Sequence, residues 1–135
     1  MENAIRILLV EDEPDLAMAV QVRLETQGYQ ISVVHDGQSA LEKARAEKPD
    51  LIILDIMLPK MDGYKVCRML KFDDQYKHIP IMMFSARVQD KDIEIAQECG
   101  ADEYITKPFE PQLFLSKVRE LLSKAGRTTK EDLKI

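Results

Sequence analysis

The 135-residue chain has no tryptophan, only two cysteines and no apolar run long enough to cross a membrane. Its apolar runs have the length of a buried strand, far short of the roughly 20 residues that a membrane-spanning helix requires. Cys67 and Cys99 stand alone, without a C-x-x-C pair or neighbouring histidines, which argues against a disulfide framework and a zinc site. Free cysteines are among the most buried residue types, so we expect both thiols to be buried.

A strong excess of one charge is also missing. The net charge is −5, and acidic and basic residues are interspersed along the chain. Because the sequence has no basic stripe, we expect no direct binding of nucleic acid. The first residues lead into a strand-like run without the basic region and cleavage site of a secretory signal, so we expect a cytoplasmic protein that does not associate with membranes.

A regular alternation of apolar and amphipathic segments runs along the chain. Its length fits one domain, which we place at residues 1–125, and the polar residues 126–135 are predicted to be a tail or the start of a linker. Apolar residues at helical spacing follow each of five short apolar runs. These runs predict strands at residues 5–10, 31–34, 51–54, 81–84 and 103–106.

The alternation determines the expected fold. Residues 51–54 are apolar at every position, as expected of a strand that is covered on both faces. Strictly alternating strands and helices require right-handed crossovers and helices on both faces of a parallel sheet. We therefore predict an α/β fold, with a doubly wound, five-stranded parallel sheet of flavodoxin-like order 2-1-3-4-5.

Polar side chains follow the predicted strands at their carboxyl ends. In such a sheet, sites form outside these ends where the strand order reverses, here between the first and third strands. The polar residues at the ends of the first, third, fourth and fifth strands include Glu11, Asp12, Asp55, Ser85 and Lys107. We expect them to converge at one edge of the sheet.

Three converging carboxylates, from Glu11, Asp12 and Asp55, would repel one another unless a cation or a proton intervenes. Mg²⁺ prefers hard oxygen ligands, keeps several waters and is often shared with phosphate. We expect Asp12 and Asp55 to be its first ligands, with Glu11 binding directly or through water. The backbone carbonyl of Met57 completes the expected set.

Asp55 also suits nucleophilic attack on phosphorus, which would give an aspartyl phosphate, and we expect its place at a strand end to leave it exposed. Lys107 would supply positive charge to the phosphoryl oxygens, and the Ser85 hydroxyl would donate a hydrogen bond to one of them. Each residue alone has an ordinary explanation, such as a helix cap for Asp55 or a solvated surface charge for Lys107. Their joint occurrence at the strand ends favours the phosphoryl chemistry.

Four segments carry a resemblance to a known family: LLVEDEP, LDIMLPKMDGY around Asp55, FSA containing Ser85 and GADEYITKPF containing Lys107. From about residue 5 to about residue 124, the sequence resembles the receiver domain of two-component response regulators. Asp55 and Ser85 are 30 residues apart and Lys107 follows 22 residues later, which matches the family pattern. The resemblance implies transfer of a phosphoryl group to Asp55 from a histidine kinase or a histidine phosphotransfer protein.

The resemblance also implies roles for single residues and for one surface. Mg²⁺ is expected at Glu11, Asp12, Asp55 and Met57, and phosphate contacts are expected from Ser85, Ala86 and Lys107. Ser85 and Tyr104 would form a switch that biases a two-state surface of the fourth helix, fifth strand and fifth helix. This surface would control an effector protein or domain, and in this family phosphorylation often creates or strengthens a homodimer. The Lys107–Pro108 peptide is expected to be cis.

The sequence departs from the family pattern near the expected site. Glu11 stands where the family more often has an aspartate, so its longer side chain would reach the metal through water. Met57 and Arg87 lie two positions after Asp55 and Ser85, where bulk and charge would control the access of hydrolytic water. We therefore expect a fairly long-lived phosphoryl group. The histidines, His35 and His78, look too isolated for catalysis or metal binding.

Three other functions fit parts of the pattern. A metal-dependent phosphohydrolase of the haloacid-dehalogenase kind needs a second acid two residues after its nucleophile, where this chain has Met57, and the chain has no long cap insertion. An interaction module independent of phosphorylation would not need Asp55, Ser85 and Lys107. Rossmann-type nucleotide binding is disfavoured, because no G-x-G-x-x-G motif follows the first strand.

Overall fold

A computed structural model of the protein describes residues 4–86 and 89–126. In this part of the chain, five strands alternate with five helices, as the sequence predicts. The strands are β1 (Arg6–Val10), β2 (Gln30–Val34), β3 (Leu51–Asp55), β4 (Ile81–Ser85) and β5 (Glu103–Thr106). The helices are α1 (Pro14–Glu25), α2 (Gly37–Glu47), α3 (Gly63–Lys71), α4 (Asp90–Glu98) and α5 (Pro111–Lys124). Apart from Gly126, the predicted polar tail lies outside the described residues.

The five strands form one parallel sheet in the order β2-β1-β3-β4-β5, which confirms the predicted fold. Because all strands run in the same direction, their carboxyl ends lie at one edge of the sheet, which we call the carboxyl edge. Val10 is in register with Leu54, and Asp55 is in register with Phe84. The residue after β1 and the last residue of β3 are therefore neighbours at the point where the strand order reverses.

Helices cover both faces of the sheet. Every residue of β3 and β4 is buried, as expected for strands in a two-sided parallel sheet. Alternate strand residues point to opposite faces, so Leu9 packs with residues of α1 and α5, whereas Leu8 packs with residues of α2, α3 and α4. Each face of the sheet thus has its own apolar core. Among the described residues, none of the helices combines the length and apolar character needed to cross a membrane.

The two cysteines lie in the core beneath α2, α3 and α4, and neither side chain is exposed. This confirms the prediction that both thiols are buried. Burial raises the pKa of the Cys67 thiol to about 12. Since the thiolate is the reactive form, Cys67 is a structural residue at neutral pH.

Aspartate side chains fix the first turns of α2 and α3. Asp36 accepts a hydrogen bond from the amide of Ser39 at 2.7 Å, and Asp62 accepts one from the amide of Lys65 at 3.0 Å. These caps satisfy amides that have no partner inside the helix. Both helices therefore begin in a fixed position close to the carboxyl edge.

The loop between β3 and α3 fits tightly between two segments of backbone. A β-carbon added to Gly63 would lie 2.3 Å from the carbonyl oxygen of Asp55, and one added to Gly37 would lie 1.8 Å from the carbonyl oxygen of Met61. Both distances are too short for any side chain. The two glycines therefore allow α3 to begin against the end of β3 and allow the loop to rest on the start of α2.

We expect Gly63→Ala to lower the free energy of unfolding by about 1–3 kcal/mol, because the added methyl group forces backbone atoms apart. The variant should also shift the amide resonances of Asp55 and Ile56, which lie against the new group. Gly28→Ala is the control for the resonances, since its φ of 92° makes alanine strained but the open space around it gives no clash, so this variant should lose stability without shifting Asp55 and Ile56. Urea denaturation and amide NMR spectra measure both effects, and unchanged resonances at Asp55 and Ile56 would contradict the tight packing.

Candidate functional site

An acidic group lies at the carboxyl edge of the sheet. Glu11 and Asp12 follow β1, and Asp55 ends β3. One carboxylate oxygen from each of the three residues lies within 4.8 Å of the other two. The predicted convergence of these carboxylates is therefore confirmed, and the strand register explains it.

Lys107 places a positive charge inside the acidic group. Its Nζ lies 2.5 Å from Oε1 of Glu11 and 3.0 Å from Oδ2 of Asp55. The same Nζ lies 4.5 Å from the centre of the Phe84 ring. The amide of Lys107 donates a hydrogen bond to the carbonyl oxygen of Ser85 at 2.8 Å, which fixes the residue beside the end of β4. The expected cis peptide between Lys107 and Pro108 is present.

Asp55 is buried, with only 5% of its surface exposed, so the expectation that a strand end would leave it exposed is wrong. The reason is that Lys107, from the loop after β5, and the loop that follows β3 both contact the carboxylate. Oδ2 accepts the hydrogen bond from Lys107, and Oδ1 accepts one from the amide of Met57 at 3.2 Å. Each oxygen of the buried carboxylate thus has a protein partner.

Burial and ion pairing act in opposite directions on the charged groups. Burial raises the pKa of Glu11 above its ordinary value, although the hydrogen bond from Lys107 opposes the shift. Burial by itself lowers the pKa of Lys107, but its hydrogen bonds to Glu11 and Asp55 outweigh this effect and raise the pKa. Lys107 therefore remains an ammonium ion at neutral pH, and Glu11 takes up a proton more readily than a solvated glutamate.

The donor set fits a small, hard metal ion. All three acidic residues offer carboxylate oxygens within the reach of one ion, and such oxygens are the ligands that divalent cations like Mg²⁺ prefer. Glu11 has both carboxylate oxygens in contact with protein groups, as Asp55 does, because Oε1 contacts Lys107 and Oε2 accepts a hydrogen bond from the amide of Glu13 at 3.0 Å. Asp12, by contrast, is exposed to solvent.

The other predicted site residues lie in or directly after β3, β4 and β5. Ser85 ends β4 and is buried, and Ala86 follows it and is exposed. Met57 has 57% of its surface exposed. Tyr104 is half-buried in β5 and is in register with Met83. Their contacts with phosphate or metal remain predictions, and Arg87 lies outside the described residues.

One contact beside the site was not predicted from the sequence. Nδ1 of His35 lies 2.9 Å from the carbonyl oxygen of Glu11, although its sequence neighbourhood makes His35 look isolated. The signal that could have revealed it was the predicted strand order. Because β2 lies beside β1, the residue after β2 is a neighbour of the residue after β1.

The site and fold define a class: a doubly wound α/β domain with an acidic group and a lysine at the switch point of its sheet. Comparison with known sequences supplies the family. The response regulator receiver domain family matches residues 7–119 of the chain. The chain belongs to this family, and it is a receiver domain of two-component response regulators.

Individual relatives show how far the likeness extends. The alkaline phosphatase synthesis transcriptional regulatory protein PhoP of Bacillus subtilis (strain 168) is 42% identical over 120 residues, or 89% of this chain and 49% of the relative. The chain thus spans about half the length of the curated relatives that it matches.

Solved structures show the same likeness over nearly whole chains. The signal receiver domain of a signal transduction histidine kinase from Syntrophus aciditrophicus is 39% identical, with a TM-score of 0.86 over 94% of this chain and 96% of that one. The receiver domain of a sensor histidine kinase from Pseudomonas aeruginosa PAO1 is 28% identical, with a TM-score of 0.83 over 90% of this chain and 99% of that one. That structure contains a magnesium ion coordinated in its active site cleft.

We expect Lys107→Met to lower the free energy of unfolding by about 2–4 kcal/mol without divalent cations, because it leaves two buried carboxylates without their positive partner. Added Mg²⁺ should recover part of this loss, since it supplies positive charge at the same place. Lys117→Met is the control, because Lys117 pairs with Glu103 at 3.2 Å in a more exposed position. Urea denaturation with a chelator or with Mg²⁺ measures the difference, and equal behaviour of the two variants would contradict the role of Lys107.

The raised pKa of Glu11 predicts a pH dependence of stability. Because the folded protein binds a proton at Glu11 more readily than the unfolded chain does, the free energy of unfolding should fall as pH rises from the ordinary value of 4.5 through the raised pKa. Glu11→Gln removes this titration and serves as the reference. Urea denaturation of both proteins in a chelating buffer gives the difference at each pH, and a difference that grows in favour of the wild type would show the sign to be wrong.

Proposed function

We propose that Asp55 is the phosphoacceptor of this receiver domain and that the domain is a phosphorylation-operated switch. The observation that carries the proposal is the position of Lys107 Nζ, which contacts both Asp55 and Glu11 within one acidic group. In phosphoryl transfer, negative charge spreads over the phosphoryl oxygens, so catalysis depends on positioning and on nearby positive charge. The site offers a carboxylate nucleophile with such a charge beside it.

The proposed cofactor is Mg²⁺, held by Asp12, Asp55 and the backbone carbonyl of Met57, with Glu11 binding through water. The hard oxygens of the acidic group support this choice. The side chain of Glu11 is longer than that of the aspartate more often found at this position in the family, which favours contact with the ion through water. When bound, the ion would neutralise charge on the phosphoryl oxygens and orient the group for transfer.

In the proposed reaction, a carboxylate oxygen of Asp55 attacks the phosphorus atom of a phosphohistidine. The new O–P bond forms as the P–N bond of the donor breaks, and the electron pair of that bond remains on the donor imidazole, which takes up a proton. Lys107 keeps its own proton and redirects a hydrogen bond from Asp55 to a phosphoryl oxygen. The donor would be a histidine kinase or a histidine phosphotransfer protein.

Ser85, Ala86 and Lys107 are the proposed phosphate contacts. Support comes from the sheet, since β4 lies next to β3 and Asp55 is in register with Phe84, the residue before Ser85. The backbone hydrogen bond from Lys107 to Ser85 holds the two proposed contacts together. A shift of Ser85 toward the new phosphoryl group would therefore also move the backbone at the end of β5.

The proposed output surface comprises α4, β5 and α5, with Tyr104 as the switch residue. α4 is weakly anchored, because Ala96 is its single buried residue. A cavity between α4 and β5 is lined in part by Ala96 and Tyr104. We propose that this cavity gives the Tyr104 ring space to change orientation. A helix with so little buried surface can shift at low cost when Ser85 and Tyr104 move.

The proposed partners follow from the length of the relatives. Several curated relatives are described as DNA-binding or transcriptional regulators of about twice this length, so we propose that residues 1–125 control an effector domain or protein, with residues 126–135 as a tail or linker. Phosphorylation would also promote a homodimer through the output surface. The proposed location is the cytoplasm, where the receiver itself would contact neither nucleic acid nor membrane.

We also propose slow loss of the phosphoryl group by autodephosphorylation. The backbone N–H of Met57 donates a hydrogen bond to Asp55, and 57% of the surface of Met57 is exposed, so a long apolar side chain begins two residues from the acceptor. A long apolar side chain there would hinder the approach of hydrolytic water. Arg87, two positions after Ser85 in the sequence, would add positive charge.

Incubation with acetyl phosphate and Mg²⁺ should add one phosphoryl group to the wild type and none to Asp55→Asn, as measured by intact mass. Asp50→Asn is the matched control, because Asp50 lies just before β3 at its opposite end and should leave phosphorylation unchanged. Phosphorylation of Asp55→Asn would contradict the assignment of Asp55. After the donor is removed, rapid Mg²⁺-dependent loss of the added mass would contradict the proposed slow hydrolysis while leaving the acceptor assignment intact.

A further inference from the structure

His35 lies beside the acidic group without belonging to it. It follows β2, and Glu11 follows β1, in a register that pairs Val34 with Val10. Nδ1 of His35 lies 2.9 Å from the carbonyl oxygen of Glu11. A carbonyl oxygen only accepts hydrogen bonds, so Nδ1 carries the proton and donates it.

This contact completes the set that holds Glu11. The amide of Glu11 donates to the carbonyl oxygen of Val34 at 3.1 Å, and its two carboxylate oxygens contact Lys107 and Glu13. The carbonyl held by His35 belongs to the peptide unit that joins Glu11 to Asp12. His35 therefore acts on the backbone at the point where the chain leaves β1 and presents both acidic side chains.

We propose that His35 is a positioning residue for the metal-binding group, an inference that rests on the proposed function. By holding the Glu11–Asp12 peptide, the imidazole fixes the direction in which the Asp12 side chain leaves the strand. Hydrogen bonds that orient ligands from outside a metal site commonly change its affinity severalfold or more. The role depends on the donated N–H and not on the charge of the ring.

A purely structural role predicts a different result. The His35 side chain is exposed to solvent although its hydrogen bond is part-buried, so loss of this one bond should change the free energy of unfolding only modestly. Metal affinity, in contrast, depends on the relative positions of the carboxylates. A variant that folds as well as the wild type but binds Mg²⁺ more weakly would separate the two roles.

The test compares His35→Leu, which removes the donor, with His35→Asn, whose side-chain amide can replace it. His78→Leu is the control, because His78 is an exposed histidine in the loop between α3 and β4. Calorimetric titration with Mg²⁺ should show affinity about three- to tenfold weaker for His35→Leu. Affinity should be close to the wild type for His35→Asn and His78→Leu.

A second readout needs no metal. The carbonyl carbon resonance of Glu11 reports the hydrogen bond that it accepts, so it should move in His35→Leu and stay near the wild-type position in His35→Asn. Wild-type affinity in His35→Leu, or an equal loss in both His35 variants, would overturn the proposal. If the wild type itself fails to bind Mg²⁺, the proposed function fails, and the Glu11 carbonyl resonance alone then decides whether His35 positions this peptide.

Discussion

The site depends on the ion pairs that the ammonium group of Lys107 makes with Glu11 and Asp55. A doubly wound sheet brings the ends of β1 and β3 together, and this sequence places acids at both. Without a positive charge between them, two buried carboxylates would destabilise the folded state. Lys107 supplies that charge from the loop after β5. One side chain therefore connects the ends of β1 and β3 to the end of β5.

Burial differs between the central strands and α4. β3 and β4 are buried along their whole length, whereas α4 buries a single residue. Tyr64 adds a hydrogen bond at 3.3 Å from its hydroxyl to the carbonyl oxygen of Asp92 in the first turn of α4. The rigid strands thus fix the chemistry, and the lightly held helix lies where a change of shape costs least.

Much of this arrangement could be predicted from the sequence because the signals are local. Unbroken apolar runs separated by helical spacing defined the sheet, and the residue after each run identified Glu11, Asp55, Ser85 and Lys107. The burial of Asp55 could not be predicted in this way, because it depends on where Lys107 and the β3–α3 loop come to rest. The His35 contact, in contrast, followed from the predicted order of β1 and β2 and was missed because a histidine without histidine or cysteine neighbours in the sequence looks isolated.

The burial of Asp55 has a consequence for the shape of any molecule that reacts with it. With 5% of its surface exposed, Asp55, the proposed acceptor, offers little area to a flat protein surface pressed against the domain. In the proposed reaction, phosphorus would have to arrive on a narrow carrier that projects beyond its own surroundings, such as a single side chain or a small acyl phosphate. The burial of the proposed acceptor would therefore select donors by their shape before any specific contact between the two surfaces is made.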